Sequence, residues 1–315
     1  MTTYNGGAYL TEQLNSIFAQ TRLPDELIVC DDQSTDATRA ILDEFAARGT
    51  VPMTVVVNDQ RLGSNENFEK AIGLCTGDII FLSDQDDVWR DNKVATIERE
   101  FERDPELGIV FTNGDLIDGA GLSLEGSMWQ SFNFHRGLRE MLGSAKRYDL
   151  LLSRHFVTGA TMAFRSRFKS LFLPIPSGLP TYVHDRWIAV MISAVARIGF
   201  IDQALIAYRL HPKQQLGVGK GLILLQYLIP YNCSSDYAAL TLMQERLQSS
   251  QTWTASRSFL EALDRRKRHI AARAALSPNV IGRLRGVVRE YRSGRYRLYP
   301  LGRAYALKDL VVGTR

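Results

Sequence analysis

Three carboxylates crowd into four residues at Asp84-Gln85-Asp86-Asp87. Like charges this close repel. A hard divalent cation relieves the repulsion, because Mg²⁺ takes oxygen ligands, usually one or two protein carboxylates beside substrate phosphates. The ordinary alternative is a solvated acidic turn. A calcium loop of the EF-hand type fits poorly: it needs glycine at its sixth position and glutamate at its twelfth, and counting from Asp84 those residues are Trp89 and Ala95. A second carboxylate pair stands at Asp31-Asp32, before Ser34-Thr35-Asp36. Further along, His184-Asp185-Arg186 opens an apolar stretch, and Tyr208-Arg209-Leu210-His211-Pro212 closes one. Asp185 can cap the helix it opens, and His211 has the chemistry of an ordinary loop histidine.

The elements that must position these residues can be read from the apolar periods. Ile79 to Leu82 runs without interruption into the acidic cluster, and Leu27 to Cys30 runs into Asp31-Asp32. Continuous apolar runs predict strands buried on both faces, as in a parallel sheet. Ligands of open α/β sheets bind beyond the carboxyl ends of such strands, where both acidic pairs lie. Helical spacing covers Ala8 to Gln20, Ser34 to about Ala47, Asn65 to Cys75 and Asp91 to Arg103, with further strands at Met53–Val57 and Ile109–Phe111. This alternation predicts βαβ units and a right-handed, parallel α/β sheet.

After Asp118 the rhythm changes. Gly119 to Arg147 reads as irregular with a helical stretch, and Phe156 to Phe164 as a strand around Gly159. Asp185 to Val195 reads as a helix, Ile198 to Tyr208 as extended, and the chain beyond Lys220 as helical, broken at Pro230, Pro278 and Pro300. The expected division is a domain over 1–219 and a basic helical extension over 220–315.

Composition narrows the class. Of 315 residues, 45% are hydrophobic and 23% charged, ordinary for a globular chain and unlike disordered or fibrous ones. Cys30, Cys75 and Cys233 are odd in number and lack metal-type spacing, which suggests a reduced, cytoplasmic setting. The first residues carry no signal-peptide pattern. The apolar run in 221–230 is interrupted by Gln226 and is too short to span a bilayer. The net charge of +4 is unevenly placed: Ala255 to Arg315 holds 15 Lys+Arg against 4 Asp+Glu, while the first 254 residues hold 23 against 30. A basic tail of this kind meets something anionic.

Taken together, TTYNGGAYLTEQLNSIFAQT, IVCDDQSTDAT, GDIIFLSDQDDVW, VTGATMAFR, HDRWIA and YRLHP, in this order from residue 2 to about residue 212, resemble glycosyltransferase family 2. Within that family they look most like the rhamnosyltransferase-like enzymes of bacterial surface polysaccharide assembly. The resemblance implies the GT-A fold, a Rossmann-like, mostly parallel sheet flanked by helices. It implies metal-dependent, inverting transfer from a nucleotide-diphosphate sugar, a dTDP- or UDP-sugar, to a saccharide or polyprenyl-linked acceptor. Residue by residue, Thr2 and Tyr4 match the turn around the base and Asp32 the carboxylate that accepts from the pyrimidine. Asp84 matches the carboxylate nearer the ribose, and Asp86 the ligand of Mg²⁺ or Mn²⁺. Gly159 matches the loop facing the sugar, Asp185 the catalytic base, and His211 a second group at the metal or diphosphate. Members of the family begin with an apolar strand before this turn, whereas here only Met1 precedes Thr2. The expectation is a sheet with no more than Thr2–Tyr4 between the strands leading to Asp32 and Asp84.

Two other classes fit parts of the sequence. A nucleotidyltransferase or pyrophosphorylase shares a related sheet but usually carries a basic glycine-rich loop after its first strand, and Thr3-Tyr4-Asn5-Gly6-Gly7 has no Lys or Arg. The basic tail alone would suit a binding module. Its arginines and tyrosines fit phosphate contacts, and its periodic apolar residues fit an interfacial helix. The resemblance favours peripheral contact with an anionic membrane, on the inner face, over nucleic acid.

Overall fold

The computed structural model describes residues 1–212, 214, 233–298 and 302–311. They form two units. The first comprises Met1–Phe132, Val157–Ser177 and the chain from His184 through the end of the last strand; the second comprises Asn133–Phe156, Gly178–Val183 and the C-terminal helices from Cys233. The C-terminal helices therefore share their unit with two segments from the middle of the chain.

The first unit begins with β1 (Thr2–Thr3), α1 (Leu10–Phe18), β2 (Leu27–Asp31), α2 (Thr38–Arg48), β3 (Met53–Val57) and α3 (Ser64–Leu74). The five residues of β2 are all buried, as its unbroken apolar run requires. It is the middle strand of a parallel sheet, paired from Leu27↔Met53 to Asp31↔Val57 on one side and at Thr2↔Cys30 and Thr3↔Asp31 on the other. α1 buries Leu10, Gln13, Leu14 and Ile17. α2 ends at Gly49, whose φ of 66° is left-handed and suits a glycine cap.

The chain continues through β4 (Ile79–Phe81), β5 (Val88–Trp89), α4 (Lys93–Arg103), β6 (Leu107–Asp118), β7 (Ser123–Ser127) and α5 (Met128–Ser131). In the second unit follow α6 (Arg136–Leu142) and α7 (Arg147–Ser153); in the first come β8 (Met162–Arg165), α8 (Lys169–Phe172), α9 (His184–Val195) and β9 (Arg197–Leu210). Strand order in the second sheet is β4-β8-β6-β9-β5, with β7 on β6. β6 and β9 run parallel, while the β4–β8, β6–β8, β5–β9 and β6–β7 pairs are antiparallel. Parallel pairing thus holds for β1-β2-β3 and β6-β9, and the remaining strands return the other way. Ile97, Phe101, Leu107, Val110, Ala163 and Leu205 form one of its apolar clusters.

Thr2 N–H donates to Ser83 O at 3.3 Å. The place between β2 and the chain leaving β4 is therefore held by the two residues of β1. Two expectations need correction. The span Phe156–Phe164 is strand only from Met162, because Gly159–Thr161 makes a 3₁₀ turn. The span from Gly119 contains the hairpin strand β7 and the helices α5 and α6 rather than a loop with a single helical stretch.

The C-terminal helices are α10 (Cys233–Ser249), α11 (Arg257–Ala274), α12 (Val280–Arg292) and α13 (Gly302–Val311). The breaks expected at Pro230 and Pro300 lie outside the described residues; Pro278 lies between α11 and α12. No described helix is long and apolar enough to cross a membrane. Cys30, Cys75 and Cys233 are free.

Candidate active site

Two turns interlock at the carboxyl edge of β1 and β2. Asn5, at φ 48°, begins the tight Asn5-Gly6-Gly7 turn. Its side-chain oxygen accepts from Thr35 N–H at 2.8 Å, and its N–H donates to Ser34 Oγ at 2.8 Å. Gly6 N–H donates to Thr38 Oγ1, and Gly7 N–H to Asp36 Oδ2, both at 2.9 Å. Asp31 anchors the base of the turn by accepting from Thr3 Oγ1 at 2.7 Å and Ser34 Oγ at 2.6 Å. Ser34, Asp36 and Thr38 are thus spent on holding one turn against the other.

Asp32 faces the next loop. Its oxygens accept from Asn58 Nδ2 at 2.9 Å, Leu62 N–H at 2.7 Å and Gly63 N–H at 2.9 Å. Burial opposes its charge, but these three donors and the nearby Arg61 outweigh burial and hold the carboxyl below its ordinary value. A carboxylate has about four acceptor sites, so Asp32 keeps room for one more donor. Tyr4, one residue beyond β1, lies with its ring 3.7 Å from the Arg61 guanidinium. Thr2, Tyr4 and Asp32 thus sit on neighbouring strand ends.

The acidic cluster follows β4. Gln85 holds the Tyr4 main chain from both sides: its Oε1 accepts from Tyr4 N–H at 2.8 Å, and its Nε2 donates to Tyr4 O at 3.1 Å. Gly6 leaves the space for it, since a Cβ there would lie 2.2 Å from Gln85 Oε1. Asp86 Oδ2 is 2.9 Å from His211 Nε2, with the side chains only 15% and 6% exposed. The His211 ring packs on Tyr9 at 4.7 Å. Asp87 is buried; its Oδ1 accepts from Arg209 N–H at 3.1 Å, and its Oδ2 has no hydrogen-bond donor among the described residues. Arg209, 1% exposed, donates to Asp86 O at 2.8 Å and Asp118 O at 3.3 Å and pairs with Glu12.

Asp185 begins α9. Its Oδ2 accepts from Gly159 N–H at 3.0 Å and its Oδ1 from Arg186 N–H at 2.6 Å. A Cβ on Gly159 would lie 2.8 Å from His184 Nε2; the glycine lets the 3₁₀ turn close over that ring. His184 itself stacks on Phe68 at 4.1 Å, and its N–H donates to Asn65 Oδ1.

The charges are coupled. Loss of water, then Asp86, then Asp185 push Asp84 up to about 7. Burial, Asp86 and Asp84 push Asp87 well above the usual carboxylate range. Behind them Lys93 is fully buried, 4.0 Å from the Trp89 ring, and donates from Nζ to Ala160 O at 2.7 Å. Burial draws its pKa down to about 7, against the pull of Asp87 and Asp84. Asp84 and Asp87 thus face a positive side chain that itself sheds charge easily. A divalent cation fits this set: the Asp86–His211 pair supplies oxygen and imidazole donors, and Asp87 keeps an unfilled buried oxygen. Among the described residues no group of three or more His, Cys, Asp or Glu has metal-holding geometry by itself.

The structure brings Asp84, Asp86, Asp185, Gly159 and His211 into one site and places Thr2, Tyr4 and Asp32 along the adjoining edge. Gln85, Lys93 and Arg209 join the site without an expectation from the sequence. A charge on the Ile97–Phe101 face of α4 signals Lys93; Gln85 and Arg209 carry no such local sign. Trp89 and Trp187 are buried, and Trp187 Nε1 donates to Phe172 O, so both pack.

This fold, with acidic loops where its central strands end, is that of the GT-A transferases. The chain belongs to glycosyl transferase family 2, whose model matches residues 1–171. An uncharacterised Mycobacterium tuberculosis protein is 27% identical over 215 residues, 66% of this chain and 57% of that protein. The dTDP-rhamnosyl transferase RfbG of Shigella flexneri is 35% identical over 98 residues, 30% of this chain and 34% of that protein. The first relatives are thus matched over less than two thirds of their own length. Among solved structures, Staphylococcus aureus TarS 1-349 in complex with UDP-GlcNAc superposes with a TM-score of 0.58 at 15% identity, over 99% of this chain and 87% of that one. The mannosyltransferase PcManGT from Pyrobaculum calidifontis, in complex with GDP-Man and Mn²⁺, gives 0.56 at 17% identity, over 99% and 83%.

Proposed function

We propose that this chain transfers a sugar from a nucleotide-diphosphate donor to a hydroxyl of a saccharide or lipid-linked acceptor, with inversion, in surface polysaccharide synthesis. The observation that carries the reading is the convergence of Asp84, Asp86, His211 and Asp185 beyond the strand ends. Thr2, Tyr4 and Asp32 line the base and ribose end of the donor site, with Asp84 beside them; Gly159 faces the sugar. Asp86 and His211 would hold Mg²⁺ or Mn²⁺, which when bound would supply Lewis-acid stabilisation of the departing diphosphate. Asp185 takes the acceptor hydroxyl's proton. Its bonds from Gly159 and Arg186 orient it. A single carboxylate serving the acceptor implies one displacement and inversion; the paired-carboxylate design of hydrolases is different. A dTDP- or UDP-linked donor and rhamnose are the finer reading, supported by the 35% identity to a dTDP-rhamnosyl transferase.

The test separates the two aspartates. Asp86→Asn is expected to weaken metal-dependent nucleotide-diphosphate binding and turnover together. Asp185→Asn keeps the shape and loses the base, so binding should stay near wild type while turnover falls by about 10²- to 10⁴-fold. Calorimetry with dTDP or UDP plus Mn²⁺, beside a donor screen reading released nucleotide diphosphate, measures both. Wild-type turnover in Asp185→Asn rejects its role as base.

A further inference from the structure

The basic C-terminal segment contains a helix whose outward face is apolar on one side and cationic on the other. In α12, Val280, Ile281, Leu284 and Val288 are 63%, 66%, 45% and 38% exposed. At 3.6 residues per turn these four fall on one stripe about 100° wide. Arg285, Arg289 and Arg292 are exposed along the adjoining flank. None of these three is in an ion pair among the described residues. The acidic residues nearby are taken: Glu290 is bound by Arg295 at 2.7 and 2.6 Å, and Asp309 by Arg273 at 2.6 Å. The packed face borders the stripe on the side away from these arginines, with Val287 in a cluster with Tyr296 and Ala306. Asn279 caps the helix by accepting from Gly282 N–H at 2.7 Å, so the helix is formed before any partner arrives.

We propose that α12 is a docking face for an anionic lipid surface, lying in the plane of the interface. Its aliphatic stripe enters the headgroup–acyl boundary, and Arg285, Arg289 and Arg292 meet lipid phosphates. A helix with a large moment, low mean hydropathy and arginines beside aliphatic side chains binds bilayers in this way. The aliphatic stripe decides against nucleic acid: a phosphate backbone attracts the arginines but leaves four exposed aliphatic side chains in water. The inference rests on α12 alone and is independent of the transfer chemistry proposed above.

The experiment is sedimentation of the full chain with vesicles of phosphatidylcholine containing phosphatidylglycerol, with vesicles of phosphatidylcholine alone, and a parallel titration with duplex DNA. Binding is expected to the anionic vesicles, falling as salt rises from about 0.05 M to 0.5 M. Replacing Arg285, Arg289 and Arg292 by Gln should weaken it about fivefold per residue, on the order of 100-fold in all. Ile281→Ser, Leu284→Ser and Val288→Ser together should remove the salt-resistant part. Because these side chains are exposed, the variants should keep the wild-type circular dichroism; should one not, Leu284→Trp decides. Its added fluorescence, above that of the wild type, should be quenched by brominated acyl chains in the anionic vesicles. Absence of quenching, equal binding to neutral vesicles, or DNA binding abolished by the Arg→Gln set while vesicle binding is unchanged would each overturn the proposal.

Discussion

At the scale of single residues, the site depends on contacts that bridge distant parts of the chain. Gln85 and Tyr4 are 81 residues apart, yet two hydrogen bonds make the Gln85 side chain act like a neighbouring strand for the donor-site turn. Each such neutral bond is worth about 0.5–1.5 kcal/mol net. Gln85→Ala should therefore lower stability by about 1–3 kcal/mol. Gly6→Ala should cost a similar amount, because its Cβ can be accommodated only by displacing Gln85. The two changes remove the same interaction, so the double variant should be little worse than either single one. A double-mutant cycle on urea midpoints measures this, and additive losses would show that Gly6 is required for some other reason. The aspartates were legible in the sequence because three charges in four residues are locally anomalous. Gln85 was not, because a neutral amide between aspartates gives no local sign of what it will reach. Lys93 was legible in principle, since a lysine on the Ile97–Phe101 face of α4 must be buried or break the helix's apolar stripe. Its burial against Trp89 and Ala160 emerged only from the fold.

At the scale of elements, short apolar runs and helical periods foretold β2, β3, α2, α3, α4 and α9 to within a few residues. Strand direction was less legible. A parallel strand and an antiparallel one can both be buried on two faces, so the runs at Ile79–Leu82 and Met162–Phe164 gave no indication that β4 and β8 would run in opposite directions. The turn at Gly159–Thr161 was hidden in the same way, since its residues are apolar enough to continue a strand. β9 does more than complete the sheet. Its last turnward residues, Tyr208 and Arg209, lead into His211, and Arg209 ties the end of β9 to the acidic loop, to Asp118 at the end of β6, and to Glu12 on α1. Arg209→Lys keeps the charge but loses the planar fork that reaches three elements at once. The expected loss is about 2–4 kcal/mol, discounted for Glu12, which is 55% exposed. The same variant should weaken nucleotide binding in the presence of Mn²⁺, because the Asp86 main chain loses its guanidinium anchor while the Arg209 N–H to Asp87 is kept. Thermal melts and calorimetry check the two effects; an unchanged melting temperature would show that the guanidinium contacts contribute nothing net.

At the scale of the whole molecule, the charge asymmetry visible in the sequence becomes a buried ionic network in the second unit. Arg273, Asp309, Glu290 and His269 are each no more than 2% exposed. Only the count of charges was legible beforehand; which of the fifteen basic residues turn inward depends on helix packing that no local pattern encodes. His269 gives this network a pH signature. Its Nδ1 lies 3.5 Å from Glu290, but Arg295 already neutralises that carboxylate. Burial, then Arg266, Arg273 and Arg295, push the imidazole down to about 2. In the unfolded chain the same group takes a proton near pH 6.5. Between those values the unfolded state binds more protons than the folded one, so stability is full above about pH 6.5 and declines as pH falls below it, by up to about 1.4 kcal/mol per pH unit. Hydrogen exchange of peptides from α11, corrected for intrinsic rates, should therefore show protection falling between pH 6.5 and 5.5, before most carboxylates titrate. His269→Gln cannot titrate and should flatten that decline whatever its effect on absolute stability. If wild-type protection is flat across this interval, the imidazole accepts its proton in the folded state and shares it with Glu290, and the arginines are not what sets its charge.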